Sequence, residues 1–182
     1  NAGARVATHL GNAMAPMHQR EPGPLLALLD DPRVVCEVIN DGRHVHPAFV
    51  EHVRRSAGST RTALITDATA PAGLGDGRYR LGRQAVTVVD GMPRIEGTDV
   101  LAGSTLTLDA AFRRAVVDCG FSLPEAVAAS STTPATLLGC PDLGDLRPGA
   151  RADLVVLDAG LSVTGVMARG EWVSDTRTGG PP

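Results

Sequence analysis

Arg33-Val34-Val35-Cys36-Glu37-Val38-Ile39 leads directly into Asn40-Asp41-Gly42-Arg43-His44-Val45-His46, and Pro47 opens the next element. The first segment is a short β-branched run and reads as a strand. The second is polar and turn-rich. From Pro47 to Arg55 the chain reads as a helix, with Pro at its start and Gly58 past its end. Working outward, Pro24 to Asp30 is a short apolar helix stopped by Pro32. Beyond it lies a second β-branched run, Arg5-Val6-Ala7-Thr8. On the other side Thr62-Ala63-Leu64-Ile65-Thr66 is a third. The three runs begin near positions 5, 33 and 61, an even spacing of 28 residues. Strand, helix, strand, helix, strand predicts βαβ units and a parallel sheet, hence an α/β fold.

Further along, Tyr79-Arg80-Leu81 and Ala85 to Val89 lead to a turn at Asp90-Gly91, a strong hairpin signal. A helix is expected from Thr105 to Asp118, capped by Ser104 and closed by Gly120. Ser122-Leu123-Pro124-Glu125 is a capping box that opens another. Thr133-Pro134 starts a third, ended by Gly139. After Pro141 the pattern changes to strands at Asp153 to Leu157, Ser162 to Ala168 and Glu171 to Val173. Residues 176–182 are polar and rich in Gly and Pro, and are expected to be a flexible tail.

The 182 residues suffice for one well-buried core, or for one domain plus a small appendage. Apolar and charged fractions of 43% and 20% are those of an ordinary soluble globular protein. A net charge of −3 and an aromatic content of 3% argue against nucleic acid as a partner. No apolar run approaches the roughly 20 residues that span a bilayer, so no membrane role is expected. Cys36, Cys119 and Cys140 have no CxxC spacing and read as small buried hydrophobes in a reducing, cytoplasmic setting. The opening residue is Asn1 rather than Met, which fits a portion of a longer protein.

In parallel β/α architectures, functional side chains project from the carboxyl ends of the strands. The first strand ends at His9, the second in Asn40 to His46, and the third at Asp67. Imidazoles and a carboxylate therefore gather at one rim. His9 is a candidate metal ligand, or else a histidine hydrogen-bonded within the sheet. Asp67 is a metal-facing carboxylate or general base, or else a turn cap. His44 and His46 alternate, so an extended segment turns only one of them to the site. Arg20 lies in a loop at the same rim. It either clamps an anion with its planar fork or pairs with Glu21. His18 and His52 read as surface residues.

Five motifs occur in order: Thr8-His9-Leu10-Gly11-Asn12-Ala13-Met14; Arg20-Glu21-Pro22-Gly23; Asp41-Gly42-Arg43-His44-Val45-His46-Pro47; Thr66-Asp67-Ala68-Thr69-Ala70-Pro71-Ala72-Gly73; and Leu101-Ala102-Gly103-Ser104-Thr105-Leu106-Thr107. Together they resemble the N-acetylglucosamine-6-phosphate deacetylases of the amidohydrolase superfamily. Gly144 to Asp158 looks like the return of many amidohydrolases from barrel to small β domain. The resemblance implies a partial (β/α)8 TIM barrel, its last three strands and helices, plus part of a small β-sandwich. Residues 1–140 would belong to the barrel, 141–175 to the small β domain.

It also implies a reaction, hydrolysis of N-acetylglucosamine 6-phosphate to glucosamine 6-phosphate and acetate. A divalent metal, zinc or iron, would be held partly by His9, with Asp67 as the acid–base group. His44 would contact the substrate, while Asn12, the backbone at Ala13, and Arg20 would hold the phosphate. A homodimer is implied, with the arginine reaching across its interface. Gly11 departs from the family, which carries a larger, often aromatic residue there, and is expected to loosen the local wall. A metal-binding Glu and a further His, upstream in the family, do not precede His9 here. Isolated, a three-strand portion is expected to fold poorly and be inactive, because open sheet edges and apolar surface would face water. Two other readings use the same residues. One is a different amidohydrolase, such as a cyclic-amide hydrolase or deaminase, which would carry an early HxH pair. The other is a non-catalytic sugar-phosphate-binding remnant.

Overall fold

The computed structural model describes residues 3–175. Strands β1 (Val6–Ala7), β2 (Val35–Ile39) and β3 (Thr62–Ile65) form a parallel sheet in that order, with α1 (Gly23–Asp30) and α2 (Pro47–Ala57) as the crossovers. The pairings Ala7 with Cys36, Cys36 with Thr62 and Val38 with Leu64 place these five side chains on one face of the sheet. All five are buried. The α1 and α2 positions Leu25, Leu29, Val50 and Val53 recur at three- and four-residue spacing and join Cys36, Val38 and Leu64 in one core. Each fully buried Leu or Val contributes about 1.5–3 kcal/mol, so this face is the main source of stability.

At the amino end of β3, Arg61 donates to the carbonyls of Leu29, Asp31 and Val34 at 2.8, 2.9 and 3.0 Å. It ties the end of α1 to the start of β2. The opposite end of the sheet opens into the loops that follow the three strands.

The next sheet has three antiparallel strands: β4 (Gly77–Leu81), β5 (Gln84–Val89) and β6 (Met92–Ile95). The Asp90-Gly91 turn is where the sequence put it, and β6 is the return strand of that hairpin although it contains Pro93. Proline lacks the N–H a central strand needs, and β6 lies at the sheet's edge, where this costs little.

Helix α3 spans Leu108–Asp118 with Thr107 as its cap. This corrects the expected start at Thr105 and the expected cap at Ser104. The Ser104 hydroxyl donates to the Thr66 carbonyl and accepts the Leu106 N–H, so it serves the loop after β3 rather than a helix end. The Ser122–Glu125 capping box is present and opens α4 (Leu123–Val127). The third helix begins at Thr133 as expected, but it is continuous with α4. A π-helical turn at Ala128–Thr132 joins α4 to α5 (Thr133–Leu137) in one helical run. Pro134 cannot donate to the residue four back, and the wider turn before it absorbs that loss.

The last sheet is antiparallel, with β7 (Leu154–Leu157), β8 (Val163–Ala168) and β9 (Glu171–Asp175) near the expected positions. The tail expected over 176–182 lies outside the described residues. No helix among the described residues is long and apolar enough to cross a membrane. Cys36 and Cys119 are buried and all three cysteines are free thiols.

Candidate active site

The parallel register fixes which side chains share a rim. With β1, β2 and β3 side by side, the chain leaves all three strands at the same edge, through His9, through Asn40-Asp41 and through Asp67. The turn after β1 is tight. Leu10 N–H donates to the Glu37 carbonyl at 2.7 Å, and Asn12 closes back on the His9 carbonyl with its N–H (2.9 Å) and its side-chain amide (3.1 Å). His9, Ala13 and Asp67 all adopt left-handed backbone, with φ of 37°, 53° and 48°. Non-glycine residues held there cost of order 1–3 kcal/mol each, and such strain concentrates at functional sites.

His9 Nδ1 is buried and has no hydrogen-bond partner among the described residues. A buried, orphaned imidazole nitrogen is costly unless something binds it. That disfavours the hydrogen-bonded alternative and fits a metal-ligating role. No group of three or more His, Cys, Asp or Glu positioned to hold a metal occurs among the described residues. Among the described residues, His9 Nδ1 is therefore left without the further ligands that a metal site would need.

Asp67 is exposed, and its carboxylate accepts no hydrogen bond among the described residues. The turn after it is served by the Thr66 hydroxyl, which accepts the Ala68 N–H at 3.3 Å, so Asp67 is not the cap. The loop is held from outside by the segment 101–105. Ser104 N–H donates to the Asp67 carbonyl at 2.9 Å, Thr69 N–H to the Ser104 carbonyl at 3.0 Å, and the Thr69 hydroxyl to the Ala102 carbonyl at 3.1 Å. Gly103 makes the closest approach. Its φ is +67°, and a Cβ there would lie 2.5 Å from Thr69 Cγ2 and 2.7 Å from the Asp67 carbonyl oxygen. Only glycine meets both demands.

The loop after β2 separates its two histidines. His46 caps α2, its Nδ1 accepting the Ala48 N–H at 3.2 Å, and is exposed. His44 is turned inward, with its side chain only 8% exposed, and Nδ1 lies 2.6 Å from Asp41 Oδ2. Asp41 Oδ1 also accepts the N–H groups of Arg43 and His44, each at 2.8 Å. Burial pushes the Asp41 carboxyl up, but the hydrogen bonds from the His44 ring and the two backbone N–H groups outweigh it. The net result lies below the ordinary carboxylate value. Beside this loop is a cavity of about 230 Å³, lined by Asp41 and His44 on one side and by Asp90 and Met92 of the β5–β6 turn on the other.

Glu37 escapes the rule of strand ends, because it lies inside β2. Cys36 and Val38 point to the helices, so Glu37 points to the other face of the strand, where it is half-buried. Burial pushes its carboxyl above the usual range. The His9 N–H hydrogen bond and the His9 ring oppose that, and Asp67 reinforces it. Glu37 thus lies close to both His9 and Asp67. A single charge within a β-branched parallel strand is the signal that would have found it.

Arg20 is exposed, and its guanidinium bonds no described residue. In particular it makes no ion pair with Glu21. His18, also exposed, accepts the Arg20 N–H at 3.3 Å. Gly11 does not loosen the wall as expected. The Phe49 ring from α2 approaches to 3.0 Å of where a Cβ would stand, with φ of +88° at Gly11, so an aromatic fills that space from another element.

Known proteins share this geometry. A structure of N-acetyl-D-glucosamine-6-phosphate deacetylase from Mycobacterium smegmatis, a mutant in complex with N-acetyl-D-glucosamine-6-phosphate, is 51% identical with a TM-score of 0.91. The match covers 94% of this chain and 46% of that one. The N-acetylgalactosamine-6-phosphate deacetylase of Escherichia coli O157:H7 is 43% identical over 175 residues, 96% of this chain and 46% of its own length. A putative N-acetylgalactosamine-6-phosphate deacetylase of Escherichia coli (strain K12) is 43% identical over 167 residues, 91% of this chain and 99% of that protein. Apart from the strain K12 protein, the chain spans about half the length of these relatives. The pattern of the Amidohydrolase family matches residues 1–173, and the chain belongs to that family.

Proposed function

We propose that this chain is the part of a metal-assisted deacetylase that carries the acid–base group, one metal ligand and the phosphate-binding residues. The substrate is N-acetylglucosamine 6-phosphate, and the products are glucosamine 6-phosphate and acetate. The observation that carries this reading is the pairing of an orphaned, buried His9 Nδ1 with an unbonded Asp67 carboxylate at the ends of strands of one sheet. Both residues are held in strained backbone. In this reading residues 1–140 are the last three strands and helices of an eight-stranded barrel, and 141–175 belong to the small β domain. The remaining metal ligands are supplied from outside residues 1–182.

His9 would hold a divalent ion, zinc or iron. When bound, such an ion polarises the amide carbonyl and lowers the pKa of a water from 15.7 to about 7. Asp67 accepts the proton of the attacking water as its oxygen bonds to the acetyl carbon. As the C–N bond breaks, Asp67 returns that proton to the amine nitrogen, which cannot leave as an anion. Its carboxylate has no competing hydrogen bond among the described residues, which suits a group that must exchange a proton twice. His44 positions the sugar or donates to the developing oxyanion. Asn12, the backbone N–H at Ala13 and the Arg20 fork hold the phosphate. The exposure of Arg20 suits a residue that reaches substrate across a homodimer interface in a cytoplasmic enzyme.

A second reading keeps the chemistry and changes one stereocentre. Relatives at 43% identity are named for N-acetylgalactosamine 6-phosphate, the C4 epimer. The 51% identity to the M. smegmatis enzyme favours the glucosamine form. The test is acetate and ammonia release, with and without chelator, from both epimers by the polypeptide that carries this chain. Chelator-sensitive acetate release with a higher kcat/KM on the gluco epimer is expected. Ammonia release would mean a deaminase, and the absence of any product from metal-loaded protein would mean a binding remnant.

A further inference from the structure

Asp41 and His44 make a close, buried carboxylate–imidazole contact at the functional rim, and the proposed reaction leaves Asp41 without a role. The two side chains are 13% and 8% exposed, and Nδ1 lies 2.6 Å from Oδ2. The carboxylate cannot swing away, because Oδ1 is held by the N–H groups of Arg43 and His44 at 2.8 Å each. The Arg114 guanidinium packs where a side chain at Gly42 would stand, 2.2 Å from that Cβ position, and Gly42 has φ of +72°. No described residue bonds His44 Nε2, and His44 lines the cavity between this loop and the β5–β6 turn.

An ionised carboxylate only accepts hydrogen bonds, so the proton between these atoms belongs to Nδ1. The carboxyl is held below its ordinary value, which keeps it ionised at neutral pH. A neutral imidazole protonated on Nδ1 presents a lone pair at Nε2. We propose that Asp41 is a positioning residue that fixes His44 with its proton on Nδ1, so that Nε2 meets the substrate as an acceptor for a sugar hydroxyl or the amide N–H. The proposal rests on His44 facing substrate, and it chooses between the two roles left open for that histidine.

Asp41→Asn tests it with little change of shape. The asparagine Oδ1 still accepts both backbone N–H groups, but its amide replaces an acceptor with a donor toward Nδ1. The His44 proton must then move to Nε2. The tautomer is read from long-range 15N–1H spectra of the histidine-labelled polypeptide that carries this chain, with His44 assigned by its absence in His44→Gln. Expected are Nδ1–H in the parent, Nε2–H in Asp41→Asn, and an unchanged melting temperature. The kcat/KM should fall about tenfold to hundredfold, the range of an unsatisfied buried partner. On a His44→Gln background, Asp41→Asn should cost nothing further. A parent ring protonated on Nε2 or on both nitrogens overturns the proposal, as does an Asp41→Asn protein with unaltered tautomer or kcat/KM. If His44→Gln is impaired while Asp41→Asn is not, only the role of Asp41 falls. If His44→Gln keeps full kcat/KM, the substrate-facing reading of His44 falls, and the proposal with it.

Discussion

Replacing Gly103 by alanine should damage turnover far more than binding, through a residue that need not touch substrate. The added methyl would sit 2.7 Å from the Asp67 carbonyl oxygen and 2.5 Å from Thr69 Cγ2. Ordinary contact begins near 3.4 Å, so the Asp67 backbone must retreat by about 0.7 Å if it alone gives way. Retreat lengthens the 2.9 Å bond from Ser104 N–H, which is what holds that carbonyl. Alanine at a φ of +67° adds roughly 1–2 kcal/mol of backbone strain. Overpacking costs a further 1–3 kcal/mol or so. The stability loss is therefore a few kcal/mol. A displacement near 1 Å of a reacting group can cost about a hundredfold in rate. The expected kcat on N-acetylglucosamine 6-phosphate is thus lower by about tenfold to hundredfold, with KM and metal content little changed. Steady-state acetate release and metal analysis at a temperature below the variant's melting transition measure this. A folded Gly103→Ala protein with kcat within about twofold of the parent would refute the claim that segment 101–105 positions Asp67.

Asp67→Asn should leave metal content nearly intact and lower kcat by about two to four decades, the usual size of an acid–base contribution; near-normal turnover would remove it from that role. Arg20→Ala should raise KM for the phosphorylated sugar while sparing the unphosphorylated one, and equal losses on both would contradict the phosphate assignment. Glu125 carries a pH signature. Hydrogen bonds from the Ser122 backbone and hydroxyl, then from Arg54, hold its carboxyl at about 2 instead of 4.5. A depressed carboxyl contributes stability above its unfolded value and loses it as pH falls through the folded one. Glu125→Gln should therefore lower the melting temperature at pH 7, by a loss of about 1 kcal/mol typical of a cap, and the difference should close between pH 4.5 and about 2. The isolated chain should be inactive and prone to aggregate, because β1 has no partner on its outer side among the described residues; a cooperative melt together with stoichiometric tight metal binding would refute this.

Much of the layout was legible in the residues because its causes are local. Pro47 and Gly58 bracket α2, Ser122 and Glu125 cap α4, and the 28-residue spacing announces βαβ units. The same rule of strand ends picked out His9, Asp67 and the His44 loop. Where the reading strayed, a residue served a distant partner. Ser104 has the chemistry of a helix cap, yet its hydroxyl and N–H hold Thr66 and Asp67, nearly forty positions earlier in the chain.

The sequence by itself determined the parallel alternation of strands and helices, and which polar side chains leave the strands at one rim. Propensity, punctuation and period-two alternation act over a few residues and survive without knowledge of neighbours. Only the tertiary structure decided how those side chains are used. It left His9 Nδ1 unpartnered among the described residues, gave His46 to a helix end and His44 to Asp41, set the Phe49 ring against Gly11, and brought Glu37 close to His9 and Asp67. Most of these outcomes depend on packing between segments far apart in the chain, and no local pattern encodes the distance between them.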